Sequence, residues 1–325
     1  MLQSARAVVD SAAAGLAANR RHILAGLTAP QKHLAPKYLY DERGSQLFDE
    51  ICSLPEYYPT RTEVGLLRTY ATEIAAFTGP RADVLELGAG SSLKARLLLG
   101  CLDRPASYVP VDISAAYLAQ QAAEVAATFP RVTVLPVLAD FTRPFALPDT
   151  LTLERTLVFF PGSTIGNLSR VRAAELLSTL AERMRGGALL LGVDICKDAA
   201  VLHAAYNDSR GVTAAFNLNL LARLNRELDA DFELDAFEHD AVYDQEHARI
   251  EMRLVSQREQ VVNVGGISIL FLKGEYIISE HSHKYAPDDL ARIARAAGWH
   301  LGHCWIDDDE RFSVQYLRAP AARNA

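Results

Sequence analysis

The sequence lacks the features of a membrane protein, a disulfide-stabilised protein or a zinc protein. It has only four cysteines, Cys52, Cys101, Cys196 and Cys304, and none stands in a CxxC or CxxH spacing. This pattern argues against a disulfide framework and a zinc site, and it is typical of reduced thiols in a cytosolic protein. The longest apolar runs, such as residues 188–193, have the length of a strand, which is too short to span a bilayer. We therefore expect a cytoplasmic protein that contacts no membrane.

Clustered basic residues are also missing. The 325 residues include 33 Lys and Arg against 40 Asp and Glu, so the formal net charge is −7. Because attraction to phosphates requires clustered Lys and Arg, this balance disfavours a nucleic-acid partner. The Ala-rich N-terminal segment is interrupted by Asp10 and by the pair Arg20-Arg21, and no apolar run follows a charged head. We therefore expect no signal peptide.

Short apolar segments alternate with helical patterns over residues 83–193. Such alternation predicts βαβ units, in which buried strands form a parallel sheet with helices on both faces. The predicted strands cover residues 84–87, 108–111, 132–138, 157–160 and 188–193, and the predicted helices cover residues 93–99, 115–128 and the segment from a cap at Ser169 to Met184.

The pattern changes after Asp194. Residues 211–229 form a long helical pattern, and residues 240–285 have the polar alternation of half-exposed strands. We interpret residues 196–285 as an insertion in the α/β core. The strands predicted there cover residues 249–259, 267–272 and 275–279.

The last forty residues are predicted to return to the sheet. A helix is predicted over residues 287–297, where Pro287 suits the first turn and Gly298 suits the C-cap. Two strand-like runs, residues 303–306 and 312–317, flank an acidic turn. They predict a hairpin that closes one edge of the sheet.

Three predicted strands end in residues that can bind a nucleoside ligand. Ligands of open α/β sheets bind at the carboxyl ends of the strands. Gly88 and Gly90 follow the first strand and let the backbone approach a ligand closely. Asp112 ends the second strand, where a carboxylate can accept hydrogen bonds from both ribose hydroxyls. Asp140 and Phe141 end the third strand and offer an acceptor for an exocyclic amine and a ring for an adenine face.

The residues at these strand ends could bind either NAD or S-adenosylmethionine. The dinucleotide fingerprint GxGxxG needs a third glycine where this sequence has Leu93. Glu86, two residues before the first glycine, is typical of class I S-adenosylmethionine methyltransferases, and with the two aspartates it favours that cofactor. Either aspartate alone could instead be a helix N-cap. Lys94 could pair with the methionyl carboxylate of the cofactor or be an ordinary surface lysine.

Several other segments have sequences that the requirements of folding and packing alone do not explain. They are PKYLYD with GSQLFD (residues 36–49), LPEYYPTRTE (54–63), FPGSTIGNL (160–168), AYND with GVTAAFN (205–217) and EHSHKY (280–285). In this order they resemble the L-histidine Nα-methyltransferases of ergothioneine biosynthesis. The resemblance extends from about residue 25 to the C-terminus, and the segments at 54–63 and 160–168 are the most specific to that family and its close relatives.

The resemblance implies a fold, a reaction and a domain division. The implied fold is α/β, a class I methyltransferase with a Rossmann-like sheet, an N-terminal helical segment and an inserted α+β substrate domain. Residues 81–195 and 286–325 would bind S-adenosylmethionine, and residues 1–80 and 196–285 would bind the substrate. The implied reaction is trimethylation of the α-amino group of L-histidine to hercynine, with S-adenosylmethionine as methyl donor and no metal. Separately from the resemblance, we expect a monomer whose partner is a small-molecule substrate.

The resemblance also carries functional residues over to this sequence. It implies that S-adenosylmethionine is bound by Gly88, Lys94, Asp112, Asp140 and Phe141. It implies that the histidine pocket is formed by Tyr57, Gly162, Asn167, Tyr206, Met252, Glu280 and Ser282, and that Tyr40 and Asn167 act at the amine.

The chemistry of these side chains suits histidine. Asn167 offers an amide donor for the substrate carboxylate and a carbonyl for its amine, and Tyr206 adds a phenolic donor to the carboxylate. Tyr40 would stand close to the amine, where no strong base is evident. Glu280 and Ser282 are two residues apart, so on a strand they face the same side and can both meet the imidazole edge.

Ordinary packing is an alternative for several of these residues. Tyr57 belongs to a tyrosine pair of the kind that commonly fills a core, and Met252 is commonly core filler too. A lone glutamate on a strand, as at Glu280, is commonly solvated. Phe48 and Thr213 could be pocket walls or could have purely structural roles.

Three alternative functions follow from the same residues. Relatives in the wider family methylate indole amino acids such as a prenylated tryptophan, although the set Glu280, Ser282 and Met252 favours an imidazole. An NAD-dependent oxidoreductase and a non-catalytic cofactor-binding protein are alternatives from other classes.

Overall fold

The computed structural model describes residues 17–321. The Ala-rich start of the chain, including Asp10, lies outside the described residues, and with it most of the segment on which the signal-peptide prediction rests. Within residues 17–321, no helix is both long enough and apolar enough to cross a membrane.

Strands largely alternate with helices over residues 83–194, as the sequence predicts. The strands are β1 (Asp83–Leu87), β2 (Ser107–Asp112), β3 (Thr133–Val134), β4 (Val137–Leu138), β5 (Thr156–Phe160), β6 (Ala188–Asp194), β7 (Phe237–Asp244), β8 (Arg249–Ser256), β9 (Gln260–Val264), β10 (Ile267–Phe271), β11 (Tyr276–His283), β12 (His300–Ile306) and β13 (Phe312–Arg318). The α-helices are α1 (residues 17–27 of the described chain), α2 (Glu42–Cys52), α3 (Tyr58–Thr69), α4 (Ala71–Thr78), α5 (Leu93–Cys101), α6 (Ala115–Thr128), α7 (Arg170–Arg183), α8 (Ala199–Tyr206), α9 (Val212–Leu228) and α10 (Pro287–Ala296).

The central sheet confirms the predicted fold class. Its strand order is β12-β13-β6-β5-β1-β2-β3, and β4 also pairs with β2. The strands from β1 to β6 pair in parallel, whereas the hairpin of β12 and β13 adds to β6 in antiparallel fashion. Strand β1 lies between β2 and β5, so the order reverses at its carboxyl end. That end is the position at which open α/β sheets bind ligands.

Alternate residues of β1 supply the two cores that cover the sheet. Leu85 and Leu87 belong to the core on one face, and Val84 belongs to the core on the other. All three are fully buried, as expected for a strand with helices on both sides.

One predicted strand is broken in the structure. Residues 132–138 form two short strands, β3 and β4, and Pro136 lies between them. Proline has no N–H to donate to a neighbouring strand, so it interrupts the ladder. Both pieces still pair with β2.

The insertion builds a second, antiparallel sheet. Its order is β11-β8-β7, and β9 and β10 form a separate hairpin beside it. Strand β11 extends past the predicted residues 275–279 to His283, which places Glu280 and Ser282 on a strand. This sheet shares a hydrophobic core with helices α1, α2, α8 and α9.

Helices α3 and α4 pack on the central sheet. Leu66, Leu67 and Ile74 are buried in the core that also contains Val84 of β1. The assignment of residues 1–80 to the substrate-binding part stays a prediction, and this packing places residues 58–78 beside the sheet.

A glycine lets the two sheets approach each other. The 3₁₀ turn Thr164–Asn167 follows β5 and packs against β11. A Cβ atom added at Gly166 would lie 2.7 Å from the backbone carbonyl oxygen of His283. Because that neighbour is backbone, it cannot move away at low cost, so a side chain at position 166 would separate the turn from β11.

We expect Gly166→Ala to lower the free energy of unfolding by about 1–3 kcal/mol, the usual cost of an added methyl group in a packed interior. Chemical denaturation of the purified variant measures this change. Gly65→Ala is the matched control, because nothing lies within 4 Å of a Cβ at this position in α3. The control should unfold like the parent or be up to about 1 kcal/mol more stable, since Ala favours helix over Gly. Equal stabilities of the two variants would contradict the close approach at Gly166.

Candidate active site

One cavity of about 720 Å³ opens at the carboxyl ends of β1, β2 and β5 and reaches β11. It brings together the residues predicted for the cofactor and those predicted for the substrate, with one exception. The predicted residues that line it are Tyr40, Tyr57, Gly88, Lys94, Asp112, Asp140, Phe141, Gly162, Asn167, Tyr206, Glu280 and Ser282.

Met252 is the exception. It lies on β8 directly opposite Glu280, and it is buried in the core of the insertion instead of lining the cavity. Thr213 is likewise buried away from the cavity, and its N–H donates to Asp208 Oδ1 at 2.8 Å near the start of α9. Phe48, in contrast, lines the cavity.

The glycine loop after β1 turns its backbone toward the cavity. Gly88 has a φ of +69°, and the N–H groups of Gly88 and Ala89 both donate to the carbonyl of Val111. A Cβ at Gly88 would meet Phe141 at 3.5 Å and Thr164 at 3.6 Å, within space that borders the cavity. Glycine therefore satisfies the left-handed backbone and keeps this wall open for a ligand.

The two strand-end aspartates are not helix N-caps. The N-cap of α6 is Ser114, whose N–H donates to Asp112 Oδ1 at 2.9 Å. Asp140 is followed by a turn, and it accepts from the N–H of Thr142 at 3.0 Å and from Lys37 Nζ at 3.0 Å. Burial raises the pKa of Asp112 to about 6. A buried carboxylate of this kind gains from ligand hydroxyls that donate to it.

A buried ion pair holds Lys94. Its Nζ atom lies 2.5 Å from Glu63 Oε2, and the side chain is 14% exposed, so Lys94 is not a solvated surface lysine. The Glu63 carboxylate also accepts from the N–H of Gly162 at 2.9 Å. Burial acts to lower the pKa of Lys94, but Glu63, Cys52 and Glu86 together outweigh it and the pKa is raised. Sequence reasoning gave Glu63 no role, because its partners stand 31 and 99 residues away.

Glu86 lines the cavity near the glycine loop. Its side chain is buried and accepts from the hydroxyl of Tyr108 on β2. Burial raises the pKa of Glu86 to about 8, although this hydrogen bond acts in the opposite direction. The raised pKa favours the protonated form of Glu86.

Glu280 and Ser282 reach the cavity from β11. The Nδ2 atom of Asn167 donates to Glu280 Oε2 at 3.2 Å, and the hydroxyl of Tyr206 donates to Ser282 Oγ at 2.8 Å. Burial raises the pKa of Glu280 to about 7, which is opposed by the charge of Lys284. The lone glutamate on this strand is thus buried rather than solvated.

Aromatic rings form one side of the cavity. The ring of Phe48 lies edge-on to Tyr40 at 5.6 Å and to Tyr57 at 6.2 Å, and Tyr57 contacts Tyr206 at 6.2 Å. Burial raises the pKa of the Tyr40 hydroxyl well above its ordinary value, and the nearby Glu280 adds to this effect. Tyr40 is therefore a neutral phenol at physiological pH.

A cluster of charged side chains contacts Ser282 through Lys284. The carboxylate of Asp194, at the end of β6, lies 2.7 Å from Lys284 Nζ and 2.5 Å from Lys197 Nζ. It also accepts from the hydroxyl of Tyr58 at 2.7 Å. Although burial opposes it, the two ammonium groups lower the pKa of Asp194. Sequence reasoning assigned no function to this cluster.

The described chain offers no evident metal site. Within residues 17–321, no group of three or more His, Cys, Asp or Glu side chains is arranged to hold a metal ion.

Comparison with known proteins identifies relatives along nearly the whole chain. A family model described as histidine-specific, S-adenosylmethionine-dependent methyltransferase matches residues 19–319. The histidine N-alpha-methyltransferase of Mycolicibacterium smegmatis is 46% identical over 94% of this chain and 95% of its own length. Ergothioneine biosynthesis protein 1 of Neurospora crassa is 30% identical over 86% of this chain, which covers 32% of that longer protein. An L-tryptophan methyltransferase of Psilocybe serbica is 30% identical over 92% of each chain.

The raised pKa of Glu280 predicts a pH-dependent stability. Burial raises this pKa from 4.5 to about 7 in the folded state. Between these values the unfolded chain has lost a proton that the folded chain keeps, so the free energy of unfolding falls as pH rises. Glu280→Gln removes this loss. Its Tm should match that of the parent near pH 4 and exceed it by a few degrees near pH 8, which corresponds to about 1–3 kcal/mol.

Scanning calorimetry across this pH range measures the effect. Glu246→Gln, on an exposed turn, is the control and should give a Tm difference that does not change with pH. A constant difference for Glu280→Gln as well would contradict the raised pKa.

Proposed function

The chain belongs to the family of histidine-specific, S-adenosylmethionine-dependent methyltransferases, and on this basis we propose that it trimethylates the α-amino group of L-histidine to hercynine, the first step of ergothioneine biosynthesis. Membership in this family contradicts the alternative of an NAD-dependent oxidoreductase. The relative named as a tryptophan methyltransferase keeps the choice of amino acid open to experiment.

The observation that carries this proposal is the shared cavity. The glycine loop and acidic strand ends on one side, and Glu280 with Ser282 on the other, line the same space of about 720 Å³. Methyl transfer needs donor and acceptor held in line within one enclosure, because correct positioning of two reacting groups can remove about 7–11 kcal/mol of the barrier. A cavity lined by both sets of residues meets this need.

We propose that Gly88, Asp112, Asp140 and Phe141 hold S-adenosylmethionine, which supplies an electrophilic methyl group when bound. The open wall at Gly88 and the buried carboxylate of Asp112 fit a nucleoside with free hydroxyls. Lys94 would contact the methionyl carboxylate while it keeps its pair with Glu63. Lys37 Nζ binds Asp140 Oδ2. When the cofactor binds, Lys37 would share the Asp140 carboxylate with the adenine amine or move away from it.

Asn167 and Tyr40 are proposed to hold the substrate amine. One N–H of the Asn167 amide is directed to Glu280, which leaves its carbonyl oxygen to accept from the amine. Tyr40, as a neutral phenol, can orient the amine but is a poor base at physiological pH. Even a peptide α-amine titrates only at about 7.7–8.0, so the substrate amine is mostly protonated at physiological pH and must first lose a proton, which water can accept.

The imidazole is proposed to lie between Glu280 and Ser282. The carboxylate of Glu280 accepts a ring N–H, and the hydroxyl of Ser282 meets the other ring nitrogen. Successive methylations then require only room around the amine. We further propose that the enzyme acts as a cytoplasmic monomer without a metal.

The first test is mass spectrometry of the purified protein with S-adenosylmethionine and an equimolar mixture of the twenty amino acids. We expect a gain of three methyl groups on histidine alone. Methylation of tryptophan instead would keep the cofactor assignment and overturn the role given to Glu280 and Ser282. Intact cofactor binding without any methylated amino acid would contradict the proposed reaction.

The second test concerns the recognition of the imidazole. Glu280→Ala should weaken histidine binding by about 1–3 kcal/mol, the usual loss when a buried hydrogen-bond partner is removed. Titration calorimetry measures the affinity. Glu251→Ala is the matched control, since Glu251 lies on the neighbouring strand opposite His281 and pairs with Arg253 on the side away from the cavity. Unchanged affinity in Glu280→Ala would show that this carboxylate does not bind the ring.

A further inference from the structure

Lys284 is a buried cation beside the substrate pocket. It follows β11, and its side chain is completely buried. The Nζ atom lies 2.7 Å from Asp194 Oδ2, 2.9 Å from Tyr206 Oη and 2.8 Å from Ser282 Oγ. A lysine ammonium has three N–H donors and no acceptor, so all three donors are used. Two of them end on hydroxyls of the proposed histidine pocket.

We propose that Lys284 is a positioning residue that determines specificity: it fixes the Ser282 hydroxyl as a hydrogen-bond donor toward the cavity, so that the pocket accepts a ring with one N–H and one unprotonated nitrogen. This inference rests on the proposed function, because it concerns how the same site distinguishes the neutral imidazole of histidine from other rings.

The hydrogen bonds to Ser282 determine the direction of its hydroxyl proton. Its Oγ atom accepts from Lys284 Nζ and from the hydroxyl of Tyr206, which occupies both of its lone pairs. A phenol is a stronger donor and a weaker acceptor than an alkyl hydroxyl, so the bond runs from Tyr206 to Ser282. The remaining Ser282 proton must then point toward the cavity. Without Lys284, the serine would regain a lone pair and could accept from a ligand instead.

Glu280 supplies the opposite polarity on the same face of β11. When Glu280 is ionised, its carboxylate accepts hydrogen bonds and has none to donate. Glu280 lies two residues before Ser282 on the same strand. A neutral imidazole, with one N–H and one unprotonated nitrogen, matches this acceptor and donor. An imidazolium would place a second N–H against the Ser282 proton, and an indole has no ring acceptor for it. Either mismatch leaves a buried polar group without a partner.

The surrounding charges allow Lys284 to remain an ammonium. Asp194 receives Lys284 on one oxygen and Lys197 on the other. With Glu280 ionised, the cluster of these four groups has no net charge. The positive charge of Lys284 also favours the ionised form of Glu280. One lysine therefore supports both the donor and the acceptor of the pocket.

The test compares histidine with its pyrrolyl-alanine analogues, the 2-yl and 3-yl isomers. Each isomer keeps one ring N–H and replaces the other nitrogen with C–H. The parent enzyme should bind both at least about tenfold more weakly than histidine. One isomer keeps the N–H for Glu280 and leaves the Ser282 donor without an acceptor, whereas the other leaves Glu280 without its N–H. In Lys284→Met the serine can reorient, and for the isomer that keeps the N–H for Glu280 we expect the ratio to fall to about threefold or less. A purely structural role would weaken all three ligands and keep the ratio.

Lys197→Met is the matched control for this experiment. Lys197 pairs with the same carboxylate, and its Nζ atom contacts Tyr58 and the carbonyl of Ile195 on the described chain, not the two pocket hydroxyls. This variant should keep the ratio of the parent. A ratio in Lys284→Met that equals the ratio in Lys197→Met would overturn the inference.

A measurement on the parent enzyme does not depend on whether Lys284→Met folds. The ¹⁵N NMR spectrum of ring-labelled histidine bound to the protein should show one protonated and one unprotonated nitrogen. Two protonated nitrogens would overturn the inference. Absence of any methylated histidine with the parent enzyme would instead remove the proposed function, so the two failures are distinguishable.

Discussion

The buried carboxylate of Asp194 is the contact on which the arrangement of the cavity depends. It ends β6 in the central sheet and binds Lys284 from the end of β11 and Tyr58 from the start of α3. Its backbone takes part as well, since its N–H donates to Ser163 Oγ and its carbonyl accepts from the N–H of Tyr285. One residue thus connects the parallel sheet, the turn after β5 and the antiparallel sheet.

On the cofactor side of the cavity, a second buried carboxylate also connects separate elements of the fold. Glu63, at the middle of α3, joins Lys94 of α5 to the backbone of Gly162 after β5. Helix α3 therefore holds both halves of the cavity, with Tyr58 directed to one cluster and Glu63 to the other. Because an uncompensated buried charge is costly, neither contact can be lost without a large penalty, and the cavity walls are fixed relative to each other.

The fold was accessible from the sequence because apolar periodicity and strand-end residues are local signals. The break of the third predicted strand at Pro136 is also a local effect, since proline has no N–H to donate to a neighbouring strand. That Glu280 and Ser282 face the same side follows from their spacing of two residues on a strand. Lys284 and Glu63 lay within specific segments of the sequence, yet no local pattern marks an ion pair. Their partners are contributed by distant strands and helices, so only the folded chain shows what they bind.

Because of the position of Lys284, the substrate preference of this chain cannot be transferred to another protein with a short sequence motif. Grafting Glu280 and Ser282 onto the strand of another methyltransferase would transfer a carboxylate and a hydroxyl, but neither the proton orientation nor the charge balance that comes with them. Those depend on Asp194, which is part of the sheet that binds the cofactor. A protein engineer who wishes to exchange the amino acid acted upon must therefore redesign the end of β6 and the end of β11 as a single unit.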